Sequence, residues 1–239
     1  TDLGKDVSVV QEGDFVYGTL PGSQLQIGGD FVGAMCFHTA ILGVTGSGKT
    51  ELAFDILRHA LSQGVKVICI DLTARYEGRL ADLEPSRLSL PDEQCAELGR
   101  KLFEAETGPY GAGQEKRVLK AYTDQLKNSV TTALTSFLAS QSSNIGIITL
   151  NEISNTKATL YVTELYMTCL LNFARDHPDQ FPRTLIVVEE AHTVMPEPSM
   201  AGVGDYEYRG LVSKISQIAL QGRKYGIGLL VIAQRTASV

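Results

Sequence analysis

None of the four cysteines, Cys36, Cys69, Cys95 and Cys169, stands in a C-x-x-C pair. That pattern argues against a structural zinc site and against a disulfide framework. Cys36, Cys69 and Cys169 fall in apolar runs, where the expected role is a buried thiol. No apolar run approaches the roughly 18 to 20 residues of a membrane span, and Thr1-Asp2-Leu3-Gly4-Lys5 lacks the hydrophobic region of a signal peptide. A cytoplasmic location without membrane contact is the resulting expectation. Basic charge is also short, with 21 Lys and Arg against 27 Asp and Glu and a net charge of −6. A surface of that sign repels nucleic acid as a whole, so DNA contact would have to come from a local basic patch or the inner wall of a ring.

What is present is a core and a phosphate loop. At 239 residues and 44% hydrophobic, the chain can build one large α/β domain or a domain with a small appendage. Ala40-Ile41-Leu42 reads as a short buried strand running into Gly43-Val44-Thr45-Gly46-Ser47-Gly48-Lys49-Thr50, a complete G-x-x-x-x-G-K-[ST] sequence. A helix follows, in which Leu52, Ile56, Leu57, Ala60 and Leu61 recur at helical spacing. Glycines suit the turn because the backbone must wrap closely round phosphate oxygens and aim its N–H groups inward at a helix N-terminus. Gly43, Thr45, Gly46, Ser47 and Gly48 thus form the nucleotide cradle. Lys49 reaches the outer phosphates, and Thr50 offers its hydroxyl to magnesium.

Residues 1–37 carry short apolar stretches, Val7-Ser8-Val9, Phe15-Val16-Tyr17 and Leu25-Gln26-Ile27, between Gly and Pro turns. They are expected to be small antiparallel strands, a possible remnant of a β-barrel, with residues 38–239 as the ATPase core. Val65 to Asp71 reads as a strand buried in a parallel sheet. Two readings of Asp71 stand: a ligand-facing acid at a strand tip, or a turn or helix cap. Residues 80–143 read as a helical insertion, with a mobile Gly-rich piece at 107–113 and a helix from about Gln114 to Leu138. Its Lys116, Arg117, Lys120 and Lys127 form either a basic stripe or an ordinary solvated face. Ile145 to Leu150 is the next strand, and the helix from about Lys157 to Arg175 carries a core face interrupted by Glu164.

Thr184-Leu185-Ile186-Val187-Val188 then runs into Glu189-Glu190-Ala191-His192, an apolar strand ending in two acids. One acid can orient a metal's water shell while the next polarises the attacking water, since neighbours on a strand point to opposite sides. His192 reads as packed or hydrogen-bonded. Pro196 to Gly210 reads as a flexible loop before a helix at Leu211–Leu220, and the last strand, Ile227 to Ile232, ends in Ala233-Gln234-Arg235. An amide at that tip can sense the γ-phosphate or position water, and Arg223 or Arg235 can carry positive charge to a neighbouring subunit.

His38 to Thr50, the acid pair, and Gln221-Gly222-Arg223-Lys224-Tyr225-Gly226 running to Ala233-Gln234-Arg235 together resemble the HerA family of the HerA/FtsK superfamily. The resemblance covers residues 38–77 and 184–239 well and the middle mainly in element order. It implies a RecA-like P-loop NTPase core, mainly parallel, with an additional strand between the phosphate-loop strand and the acid strand, assembled as a homo-hexamer around double-stranded DNA. It further implies ATP and Mg2+ as ligands, Glu189 with Thr50 at the metal, Glu190 as catalytic base, Gln234 as phosphate sensor and Arg223 as a finger donated in trans. Asp71 falls near a functional acid of the family. Glu189 departs from the Asp of many relatives by one methylene. The chain's limits at Thr1 and Val239 are those expected of a core fragment.

The resemblance leaves three functions open: a DNA translocase or helicase motor working with a nuclease or defence effector, an ATP-binding ring scaffold that organises an effector, and a secretion or conjugation ATPase. The absence of N-K-x-D argues against a GTPase, and the absence of L-S-G-G-Q against an ABC transporter ATPase.

Overall fold

A computed structural model describes residues 10–35, 38–107, 113–150, 156–191 and 206–233. The expected strand at Val7–Val9, Cys36, the Gly-rich piece at 108–112, His192, the loop from Pro196 to residue 205, Gln234 and Arg235 lie outside the described residues.

The chain opens on an antiparallel hairpin, β1 (Phe15–Thr19) and β2 (Gln26–Gly29). Only Phe15 of β1 turns inward. Its ring meets those of Phe31 at 6.1 Å and His59 at 5.3 Å, which ties the hairpin to helices α1 (Phe31–Met35) and α2 (Lys49–Ser62).

The main sheet has six strands: β3 (Thr39–Leu42), β4 (Lys66–Asp71), β5 (Ser86–Arg87), β6 (Ile145–Thr149), β7 (Thr184–Val188) and β8 (Ile227–Ala233). Their order is β3-β8-β7-β4-β6-β5, and every pairing is parallel. β8 therefore lies between the phosphate-loop strand and the acid strand, in the place the HerA resemblance implied for an extra strand. Parallel pairing aligns all strand C-termini along one rim, where Gly43, Glu189 and Asp71 emerge.

The period-two alternation of each strand splits the core into two layers. On β4, Val67 and Cys69 join α2, α1 and Phe15, whereas Ile68 and Ile70 face the opposite layer. That second layer is built from α4 (Asp92–Thr107), α5 (Gly113–Ala139), α6 (Thr156–Asp176) and α7 (Tyr206–Gly222), whereas the short α3 (Tyr76–Arg79) packs its Tyr76 into the first layer beside α2. α6 is the most enclosed: its Leu160, Val162, Leu165, Met167 and Leu170 are all buried. Glu164 interrupts that run and is 7% exposed. It is paired with Lys214 of α7 and accepts a hydrogen bond from the Thr168 hydroxyl at 2.6 Å.

Three differences from the sequence reading are informative. The polar stretch 80–143 contributes a sheet strand, β5, whose two residues are too short to show a period. Its helices supply Leu98, Leu102, Leu126, Val130 and Leu134 to the same core as the sheet. The helix expected at Leu211 starts at Tyr206, so five residues of the expected loop are helical. Gly210 lowers helix propensity by about 1 kcal/mol, and the packing of Leu211, Ile215, Ile218 and Ala219 against the core overrides that cost.

Candidate active site

β3 ends on the sheet rim, where the Gly43 N–H donates to the Ala233 carbonyl of β8 at 3.4 Å. The chain then turns sharply. The Ser47 N–H donates to the Val44 carbonyl at 3.2 Å, and Gly46 and Gly48 take φ of 80° and 84°, left-handed conformations that a side chain would strain. Gly43 answers a space requirement instead: a Cβ there would stand 2.7 Å from Ser47 Oγ. Gly48 caps α2 without a side-chain acceptor, so the first turn of a 14-residue helix presents its N–H groups at the loop. Residues 44–48 are exposed.

Two side chains frame this cradle. Lys49 folds back over it and donates from Nζ to the Val44 carbonyl at 3.0 Å. Thr50 donates from Oγ1 to Glu189 Oε1 at 2.9 Å, a bond spanning 139 residues of sequence. Glu189 is only 8% exposed, and its second oxygen, Oε2, is buried with no hydrogen-bond partner of ordinary geometry among the described residues. An orphaned carboxylate oxygen beside a threonine hydroxyl is a donor set suited to a hard cation and its waters. Glu190 follows in a left-handed conformation, φ 51°, half-buried, a backbone strain at the end of the acid strand.

Asp71, open to two readings in the sequence, is a turn cap. Fully buried, it accepts from the Thr73 N–H at 2.8 Å, the Thr73 hydroxyl at 2.9 Å and the Tyr76 N–H at 2.9 Å. The turn so fixed delivers Tyr76, which sequence reasoning missed. Its ring is 0% exposed and packs on Phe54 of α2 at 5.0 Å between centroids. The only signal was an aromatic residue five places past a strand-end acid, which by itself means core.

Arg223 does not join this group. It lies exposed in a 3-10 turn, Arg223–Tyr225, that precedes β8 at the opposite rim of the sheet. From Ile227 to Ala233, which touches Gly43, β8 spans roughly 20 Å at about 3.3 Å per residue. Near it stands His38, whose buried ring nitrogens make no hydrogen bond of ordinary geometry among the described residues; burial lowers the His38 pKa, the Ala219 backbone opposes that shift, and the charge of Arg223 adds to it. Among the basic candidates, Lys116, Arg117, Lys120 and Lys127 are all exposed on α5, whereas Lys214 is held by Glu164.

A family model described as "Helicase HerA, central domain" matches residues 15–104. No curated protein matches the chain in sequence. Among solved structures, VirB4 of Thermoanaerobacter pseudethanolicus is similar with a TM-score of 0.59 at 15% identity, over 97% of this chain and 79% of that one. A bacterial conjugative coupling protein, TrwBdeltaN70, in a trigonal form in complex with sulphate, is similar with a TM-score of 0.53 at 13% identity, over 97% of this chain and 68% of that one. Identities this low carry the fold alone. Joined to the complete phosphate loop and an acid strand two places along the rim, they give this chain the α/β fold of a P-loop NTPase, with residues 15–104 similar to the central domain of helicase HerA.

Proposed function

We propose that the chain hydrolyses ATP at a site completed by a second copy of itself, in a hexameric ring that moves on double-stranded DNA and works with a nuclease or other effector protein. The observation that carries this reading is the separation of Arg223 from the phosphate loop. One chain gathers Lys49, Thr50, Glu189 and Glu190 on one rim and keeps Arg223 at the other end of β8, beyond the reach of its own side chain. A ring places one copy's far rim against the next copy's cradle, so a finger given in trans makes assembly a condition of turnover.

In this reading the N–H groups of Gly43, Thr45, Gly46, Ser47 and Gly48 hold the phosphates, and Lys49 exchanges the Val44 carbonyl for phosphate oxygens. Thr50 and Glu189 hold Mg2+, which supplies neutralisation of charge on the β- and γ-phosphate oxygens when bound. Glu190 takes the proton of the attacking water, and Gln234 senses the γ-phosphate.

The test is ATP turnover with and without linear double-stranded DNA, with Glu190→Gln as the hydrolysis-dead control. The expected result is strong stimulation that vanishes in the variant; turnover indifferent to DNA would sink the translocase reading and favour an ATP-binding scaffold. A second reading, a conjugation or secretion ATPase moving single-stranded DNA or protein, is favoured by the near-complete coverage of this chain by VirB4 and the conjugative coupling protein. Stimulation by single-stranded but not double-stranded DNA would select it.

A further inference from the structure

Two buried polar atoms come together at the inner wall of the site, and among the described residues neither makes a hydrogen bond of ordinary geometry. Glu189 has given Oε1 to Thr50 and keeps Oε2 without such a bond; Tyr76 has given its backbone N–H to Asp71 and keeps its buried hydroxyl without one. Both residues flank Cys69, the buried middle of β4, and the Tyr76 ring is clamped by Phe54 from the phosphate-loop helix. The phenol's pKa is raised by burial first, then by the charges of Cys69, Glu189 and Asp71, and last by a hydrogen-bonding approach to the Glu189 carboxylate that falls short of ordinary geometry. The hydroxyl therefore keeps its proton and stands as a donor facing a carboxylate, close enough to feel its charge and not yet closing a bond of ordinary geometry.

An unsatisfied buried hydroxyl opposes folding by about 1–3 kcal/mol. A phenylalanine would fill the same space against Phe54 without that penalty, so packing does not account for the oxygen. A glutamate also needs holding: it has three side-chain torsions, and Thr50 restrains only one of its oxygens.

We propose that Tyr76 is a positioning residue for Glu189, donating its hydroxyl to Oε2 as the nucleotide and cation load, and so locking the carboxylate in the rotamer that keeps Oε1 on Thr50. The assignment rests on the reading of Thr50 and Glu189 as the cation-holding pair. Asp71 belongs to the same device one step back, because its two oxygens fix the turn that aims Tyr76. The order of support runs from strand-end acid to aromatic, from aromatic to carboxylate, and from carboxylate to threonine hydroxyl.

The experiment uses Tyr76→Phe in the full chain, with Glu189→Gln beside it. Affinity for a fluorescent ATP analogue is measured in EDTA and across a MgCl2 titration, together with ATP turnover and the melting temperature without nucleotide. Support groups that orient ligands to a metal are worth about 10–100-fold in affinity or activity. Tyr76→Phe is expected to leave binding in EDTA unchanged, raise the MgCl2 needed for half-maximal tightening about tenfold, and lower kcat about tenfold with little change in KM. The melting temperature should hold or rise, so the changed magnesium dependence cannot come from lost stability, whereas a tyrosine that only packs would leave that dependence at the wild-type value. A Tyr76→Phe protein with wild-type magnesium dependence overturns the proposal if Glu189→Gln has lost that dependence. If Glu189→Gln also keeps it, the cation reading of Glu189 falls and the positioning role falls with it.

Discussion

Strands β4 and β7 lie side by side, and their two ends handle polar groups in opposite ways. At the starting end, Lys66 is 5% exposed and saturated: its amine donates to the carbonyls of Phe137 at 3.1 Å, Ser140 at 2.6 Å and Ser143 at 2.8 Å, and sits 4.8 Å from the Phe137 ring centroid. At the finishing end, Glu189 and Tyr76 each hold a buried oxygen with no hydrogen bond of ordinary geometry among the described residues, and Glu190 and Ala74 are held at φ of 51° and 57°. A lysine at a helix C-terminus satisfies orphan carbonyls and locks α5 to the sheet. Unpaired polar atoms and strained backbone do the reverse, leaving hydrogen-bonding capacity unused. Nearly equal burial thus goes with satisfied polar groups at one rim and with unsatisfied ones at the other.

The sharpest way to break this comparison is to remove charge at the finishing rim. Glu190→Gln and Lys49→Ala should each lower turnover about 10²–10³-fold, with the melting temperature little changed, as turnover assays beside thermal melts would show. Arg223→Ala should keep nucleotide binding in a fluorescence titration and abolish hydrolysis. Loss of binding instead would mean that Arg223 acts within its own chain.

At the starting rim the prediction is inverted. Lys66→Met leaves three carbonyls without their donor and should reduce unfolding free energy by about 2–4 kcal/mol, while turnover per folded molecule stays at the wild-type value; urea unfolding with active-site titration separates the two. Asp71→Ala falls between, because it frees two N–H groups and a hydroxyl. A loss of about 1–3 kcal/mol is expected, together with a Tyr76→Phe-like rise in the magnesium requirement. The smallest effect belongs to Lys214→Ala, whose partner Glu164 keeps the Thr168 hydroxyl. An exposed lysine of this kind is worth about 1 kcal/mol or less, and a melt in high salt should shrink the difference further.

Legibility in the sequence followed how local each feature is. The phosphate loop was readable because eight consecutive residues carry its whole specification, glycines at the left-handed positions included. Strands β4, β6, β7 and β8 were readable as apolar runs of five or more residues, β3 by its place before the phosphate loop, and helices α2, α5 and α6 as long segments. β5 was not, since two residues show no period, and the first turn of α7 was hidden by Gly210. Asp71 illustrates the limit within the site. An acid at the end of an apolar strand looks the same whether its oxygens meet a ligand or its own turn, and only the fold of Leu72 to Tyr76 decides.

By itself the sequence determined a phosphate-binding turn between strand and helix, a parallel α/β core and an acid pair at a strand end, because periodicity and glycine geometry act over a few neighbouring residues. The tertiary structure alone decided where Arg223 stands relative to the cradle and that Tyr76 lies beside Glu189. Those relations depend on strand order and register across the sheet, and a slip of one residue in β7 would turn Glu189 to the opposite face.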